Sequence, residues 1–405
     1  MYDACLARDP IFDRNNALIG YKISFRNTKE GREALSLSLS NGTFEILRSN
    51  LPAFIACDKS QLLSDVFAAV DAKSLVLLLQ RDVDEDPEVL SMLQKIRAAG
   101  GRLALDNLEE EPSPSEQLSR WAEFARIDLC QQEPAAVAAI CKRLSNTKTR
   151  FIADQIADVD QHAAAMKMGF EAFEGPHFSR AEAAPANKMP AASVTAMRLL
   201  ALARDPNVSD RALEEAVSSD PVLAFQLLRL VNSAAVGVKG VSSIGHALRI
   251  IGRNTFLRWL ALAVAASRGA KSGIDQHCVR QAVVRGRLLE QFSGQGRDAG
   301  TLFLVGLFSL MDSVFRMPLH DIVARVALGD DAKAALLDRS GPYSKALSLA
   351  ESYELGMFES ALQVATEIGL NADKLPEFYA TAVQWSAEAL SAMVSKSPER
   401  NMAAR

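Results

Sequence analysis

Long apolar runs are missing from this chain. No stretch of 18 uncharged apolar residues occurs in its 405 positions, so no segment reads as a membrane span. Cysteine is sparse: Cys5, Cys57, Cys130, Cys141 and Cys278 are scattered and form no Cys-x-x-Cys pair. The five histidines show no His-x-x-x-His spacing either, so the common zinc patterns are absent. Buried free thiols in a reducing cytosol are the expected state of the cysteines. The N-terminal residues lack a basic stretch followed by an apolar core, and no secretory signal is expected. Basic charge is also lacking. A net charge of -4 and a pI of about 5.9 exclude a binder held to nucleic acid or an anionic membrane by bulk charge. What is present, 49% hydrophobic and 23% charged residues, is ordinary for a globular protein with room for two or three domains.

The most structured stretch runs from Ser218 to Gly252. Asp220 is an N-cap with Pro221 at the first helical position, where its missing N–H is harmless. Val222, Phe225, Leu228, Leu230 and Val231 fall on one helical stripe, expected to be buried. Asn232 and Ser233 close the helix, and Gly237 and Gly240 permit a reversal. Ser242 or Ser243 then caps a second helix that stops at Gly252, and Asn254 caps a third from Thr255 to Ser267.

Residues 1–180 read differently. Short apolar strands (Ala17–Ile23, Ala53–Cys57, Ser74–Leu79, Arg102–Asp106, Phe124–Asp128, Arg150–Ala153, Ala172–Phe173) alternate with helical segments (Ser60–Ala72, Pro87–Ala99, Pro134–Leu144, Val159–Met168). That alternation predicts a parallel sheet, open or closed. With only about 180 residues against the usual ~250, a trimmed barrel or incomplete sheet is implied. Residues 181–190, small and twice interrupted by proline, form the expected linker. Helical patterns alone fill 191–395, and 396–405 is an expected tail.

Asp-Pro-x-Leu, then Leu-Leu-Arg-Leu-Val-Asn-Ser-Ala, then Ile-x-x-Ala-Leu-x-x-Ile-Gly resembles the HDOD domain, a catalytically empty relative of the HD phosphohydrolases. The run Ala7–Asn15 and Gly20–Arg26 resemble the start of a subfamily of EAL domains, modified (β/α)₈ barrels that hydrolyse cyclic di-GMP. That subfamily joins a short EAL domain to a C-terminal HDOD domain. The resemblances imply an α/β plus all-α fold class: a degenerate, shortened EAL-type barrel followed by an all-helical HDOD bundle.

An active EAL site holds Mg²⁺ or Mn²⁺ on carboxylates and an Asn at the C-terminal ends of the strands. Carried over by resemblance, its signature Glu falls on Lys22, the second-strand Asn on Ala56 and the third-strand Glu on Leu78. The Asp-Asp pair falls on Asp106 and Asn107, the catalytic Lys on Arg126, two later Glu on Asp154 and Ala157, and the closing Gln on Glu174. Asp106 and Asp154 alone remain as ligand types, and Lys22 is expected to pair with Asp106 in place of a metal. Arg26 and Arg126 are the residues expected to meet phosphates if a nucleotide binds. Glu33-Ala34-Leu35 and Glu388-Ala389-Leu390 spell the family tripeptide outside its register. In the C-terminal half, Ser309 and Leu310 stand where an HD hydrolase has its His-Asp pair, and the literal His320-Asp321 opens a new helix.

No catalytic residue, metal or cofactor is therefore expected. The reading that follows is a non-enzymatic regulator that contacts other signalling proteins. A cyclic di-GMP receptor without hydrolysis stands second and a residual phosphodiesterase third.

Overall fold

The computed structural model of the chain describes residues 5–25, 29–64, 66–67, 70–179, 189–232, 240–267, 272–293, 298–326 and 328–394. Among them eight strands close into a barrel: β1 (Leu6–Asp13), β2 (Leu18–Phe25), β3 (Ala53–Cys57), β4 (Leu75–Leu79), β5 (Arg102–Leu105), β6 (Phe124–Asp128), β7 (Arg150–Asp154) and β8 (Ala172–Phe173). Neighbours from β2 to β8 pair in parallel, whereas β1 runs antiparallel to both β2 and β8. The sheet is closed, and it is short because several crossovers are reduced. Between β5 and β6 the only helix is the 3₁₀ stretch Pro114–Arg120, in a segment broken by Pro112 and Pro114. The helix expected over Ser60–Ala72 is described only as Lys59–Leu62, opened by a reciprocal capping box between Asp58 and Gln61. Pro87–Ala98, Pro134–Arg143 and Val159–Lys167 are full helices as expected.

β1 was not expected as a strand, since Arg8, Asp9, Pro10 and Asp13 break its apolar pattern. It is held by the hairpin turn to β2, where the Asp13 carboxylate accepts from the backbone N–H of Asn15 and Ala17, both at 2.8 Å. Side chains alternate along each strand. Ile11, Phe54, Val76, Leu78, Ala104, Phe124, Ile152 and Ala172 form one apolar layer inside the barrel.

The chain divides into two compact units, and the division revises the expected boundaries. Residues 272–277 and 348–380 group with residues 1–182, and the remainder forms the second unit. The physical reason lies in the hairpin. Each parallel strand has a crossover segment to cover its outer face, but the β1–β2 turn has none. Helix Thr43–Arg48 packs on part of the strand pair, and the later segments add to that cover. The Leu6 N–H donates to the Tyr353 hydroxyl at 3.3 Å, and Phe12 meets the His277 ring edge-on at 5.8 Å. Gly273 lies so close that a Cβ there would come within 2.5 Å of the Asn16 carbonyl oxygen.

The second unit is helical throughout its described residues. Its core includes Trp259 stacked on Trp385 at 5.9 Å. No helix among the described residues is long and apolar enough to cross a membrane. The linker at 181–188 and the tail at 396–405 lie outside the described residues.

Candidate functional site

Two residues beyond the apolar layer, in the same inward register, lies a charged one at the C-terminal mouth of the parallel strands. β1 contributes Asp9, β2 Lys22, β6 Arg126 and β7 Asp154, with Asp106 just after β5 and Glu174 just after β8. β3 and β4 bring only Ala56 and Leu78, which are register partners. Arg126 is buried and engages three carboxylates. Nη1 donates to Asp106 at 2.7 Å, Nη2 to Asp154 at 2.5 Å and Nε to Glu174 at 3.2 Å. Lys22 Nζ donates to the other oxygen of Glu174 at 2.7 Å and lies 3.9 Å from Asp9. The second oxygen of Asp106 accepts from Gln80 at 2.7 Å, and Gln80 in turn accepts from Asn107 at 2.8 Å. Ser24 donates to Asp9 at 3.1 Å.

Several expectations change here. Lys22 was expected on Asp106, but its partners are Glu174 and Asp9, because Asp106 faces the longer Arg126. Glu174, expected only as a replacement for a family Gln, is the carboxylate shared by both cations. Arg126 was expected to meet phosphate, but all three of its donor nitrogens are spent on carboxylates. Asn107 is exposed with a left-handed φ of 51°, and Ala157 lies on an exposed loop outside the network. Arg26 lies outside the described residues. Asp9 and Gln80 were missed. Strand alternation from Ile11 would have placed Asp9 inward had β1 been recognised.

The electrostatics follow from burial. It alone would weaken every charge here. Asp106 is nevertheless held below the usual carboxylate range by the Arg126 guanidinium, and Glu174 by Lys22 and Arg126. Lys22 resists the same burial because Glu174 and Asp9 push it up to about 12. Asp154 is different. Burial, reinforced by the Glu174 charge, pushes it up to about 7, and among the described residues no side chain bonds its Oδ1. Asp9 is also raised, chiefly by burial.

These directions fix a pH dependence. Asp154 holds its proton in the folded state up to about pH 7, while the unfolded chain loses it near 3.8. Its contribution to stability is complete below the unfolded value and is lost as pH rises to about 7. Asp9 acts in the same sense, whereas Asp106 and Glu174 stabilise above their unfolded values and cease to do so in stronger acid. Urea midpoints are expected to fall as pH rises from about 4 to about 7, and Asp154→Asn should flatten that fall. An unchanged slope in the variant would refute the assignment.

The network floors a cleft of about 310 Å³, at the small end of the usual range for ligand sites. Ser24, Phe25, Asp58, Gln61, Gln80 and Asn107 are among its walls. The residues do not fit a divalent ion. A guanidinium already takes one oxygen from each of three carboxylates, and an ammonium bridges two. Among the described residues no group of three His, Cys, Asp or Glu is arranged to hold a metal.

In the second unit, the Asp220 carboxylate caps its helix by accepting from Val222 and Leu223 N–H, each at 3.1 Å, with Pro221 in the first turn. Asn232 has a structural role that the sequence did not disclose. Its amide donates to the Leu228 and Val241 carbonyls at 2.8 Å and accepts from Val241 N–H at 2.9 Å, tying the helix end to the chain nine residues on. Ser233 and Gly237 lie outside the described residues. Ser243 caps the next helix through His246 N–H. Gly252, at φ 73° and ψ 163°, breaks helix Ile244–Ala266 as expected. After that break Arg253 donates to the Ala203, Asp205 and Val208 carbonyls, each at 2.7 Å. Ser309, expected in place of an HD pair, accepts from the buried Arg285 at 3.0 Å and donates to the Gly306 carbonyl, beside a buried Leu310. His320 and Asp321 pair on the surface. The buried stripe agrees with expectation at its end and differs at its start. Leu230 and Val231 are buried as expected, together with Leu223 and Leu227, while Val222 and Phe225 are 66% and 39% exposed.

Residues 189–312 match the HDOD domain family model. The chain is 23% identical over 402 residues to the cyclic di-GMP phosphodiesterase CdgJ of Vibrio cholerae, covering 95% of this chain and 93% of that protein. It is 22% identical over 401 residues to the uncharacterized protein YuxH of Bacillus subtilis, covering 94% and 97%. Among solved structures, the Bacillus subtilis YkuI protein, with an EAL domain, in complex with cyclic di-GMP and calcium, aligns at 18% identity with a TM-score of 0.34 over 42% of this chain and 53% of that one. An EAL domain protein from Listeria monocytogenes aligns at 15% identity and a TM-score of 0.36, over 44% and 87%. The C-terminal half contains an HDOD domain, and a closed barrel precedes it in the order of the EAL–HDOD architecture.

Proposed function

We propose that this EAL–HDOD chain is a non-enzymatic regulator in cyclic di-GMP-related signalling, acting through contacts with other signalling proteins. The observation that carries the reading is the occupancy of the barrel mouth by its own cations. Metal-assisted phosphodiester cleavage needs carboxylates free to hold a divalent ion and a water that the ion can activate. Here Arg126 and Lys22 neutralise those carboxylates from within, and among the described residues lining the cleft no other cation stands ready to draw in an anionic dinucleotide. In the HDOD half a second buried arginine, Arg285, meets Ser309, the residue expected in place of an HD pair. What such a chain offers a partner is shape and surface.

The kinship with a protein named as a phosphodiesterase supplies the competing reading, and one assay separates the two. The purified full chain, incubated with cyclic di-GMP and Mg²⁺ or Mn²⁺, is expected to release no linear dinucleotide above the protein-free control. Metal-dependent turnover that vanishes in Asp106→Ala would overturn the proposal. The open cleft favours a second reading, a receptor that binds without hydrolysis. Calorimetric titration with cyclic di-GMP tests it. Because both cations are already engaged, no saturable heat is expected.

A further inference from the structure

We propose that residues 348–380 form a releasable latch on the outer face of the β1–β2 hairpin, and that the hairpin couples this latch to the charge network at the barrel mouth. The latch does not depend on whether the mouth binds a nucleotide.

The seam between latch and hairpin combines aromatic packing with unmet polar atoms. Arg8 is 97% buried, since only 3% of it is exposed. Its Nη1 donates to the Leu47 carbonyl at 2.8 Å and to Ser49 at 2.7 Å, and its guanidinium lies 4.4 Å over the Tyr21 ring. Among the described residues Arg8 Nε and Nη2 have no hydrogen-bond partner, nor do the buried hydroxyls of Tyr21 and Tyr379. On the latch side, Tyr379 packs against Tyr353 at 5.3 Å, and Tyr353 against Phe358 at 5.5 Å. The rings favour the docked state. The unmet donors oppose it, because each would gain water on release. A packed element carrying that opposition lies at the low end of a protein's range of local stabilities.

The register supplies the coupling. Asp9 lies opposite Lys22 in the antiparallel ladder, so Arg8 and Tyr21 are the chain neighbours of that pair. Neighbouring residues on a strand face opposite ways: Asp9 and Lys22 face the mouth, and Arg8 and Tyr21 face outward, where Arg8 bonds Leu47 and Ser49 and both lie within electrostatic reach of the latch residue Tyr379. A second link runs through Ser24, which donates to Asp9. The latch turn lies against it, for a Cβ on Gly356 would sit 3.7 Å from the Ser24 Cβ. A change in the Lys22–Asp9–Glu174 charges therefore acts on the strand pair that holds the latch.

Hydrogen exchange by mass spectrometry on the full chain tests both parts. Tyr379→Phe removes one unmet hydroxyl and is expected to slow exchange across 348–380 at least threefold. Unchanged or faster exchange would overturn the latch. Lys22→Met is expected to speed exchange across 348–380 at least threefold while peptides from 210–231 stay unchanged. Should Lys22→Met not fold, Ser24→Ala serves in its place with the same expectation. No change, or an equal change in all peptides, would overturn the coupling.

Discussion

Replacing Arg126 by methionine should cost the folded protein about 3–5 kcal/mol, the range for removing one partner from a buried ionic network. The guanidinium is the side-chain donor that Asp154 meets, and it shares Asp106 with Gln80 and Glu174 with Lys22. Without it three buried carboxylates face one another across the barrel, answered by a single ammonium. Urea unfolding with linear extrapolation gives the number. Arg126→Lys should lose a large part of the same stability, because one ammonium cannot present three divergent donors. Adding Asp154→Asn to Arg126→Met removes one of the stranded charges and is expected to restore part of the loss. The methionine variant should also recover at pH 5, where Asp154 carries its proton. A cost below about 1 kcal/mol would mean that the carboxylates are solvated and the cluster is not a buried one.

That network shows how far the sequence could be read. Alternating strands with short apolar cores made β2 to β8 legible, and resemblance put Lys22, Asp106, Arg126, Asp154 and Glu174 at strand ends. Which cation meets which carboxylate was not legible. That depends on side-chain reach across a closed barrel, and closure itself needed β1. β1 was hidden because Pro10 and three charged residues disguise a strand whose inward positions, Asp9 and Ile11, serve two different layers. The grouping of residues 348–380 with the barrel was hidden for a related reason. Nothing local marks a helix as the cover of a hairpin more than 300 residues earlier. The HDOD caps were legible because Asp220, Ser243 and Gly252 act on their own neighbours. The long-range bonds of Asn232 and Arg253 were not.

Helix Pro221–Val231 shows the same limit at the scale of one turn, and it yields the other large expected effect. Two stripes satisfy helical spacing in this segment: Val222, Phe225 and Leu228, or Leu223, Leu227 and Leu230. Leucine, valine and phenylalanine fill both, so hydrophobicity cannot choose between them. The fold chooses the second, with Leu223 and Leu227 each 5% exposed and Leu230 fully buried. Leu227→Ala should therefore lower stability by about 2–4 kcal/mol, the transfer loss of the side chain plus the cavity it leaves. Val222→Ala, on the exposed face, should stay within about 0.5 kcal/mol. The contrast carries more weight than either value, because the propensity gained by replacing valine rather than leucine with alanine is only a few tenths of a kcal/mol, roughly a tenth of the expected difference. Chemical denaturation of the two single variants measures it. Equal losses, or a larger one at Val222, would mean that the helix is rotated from the phase described, and the two faces would then exchange roles.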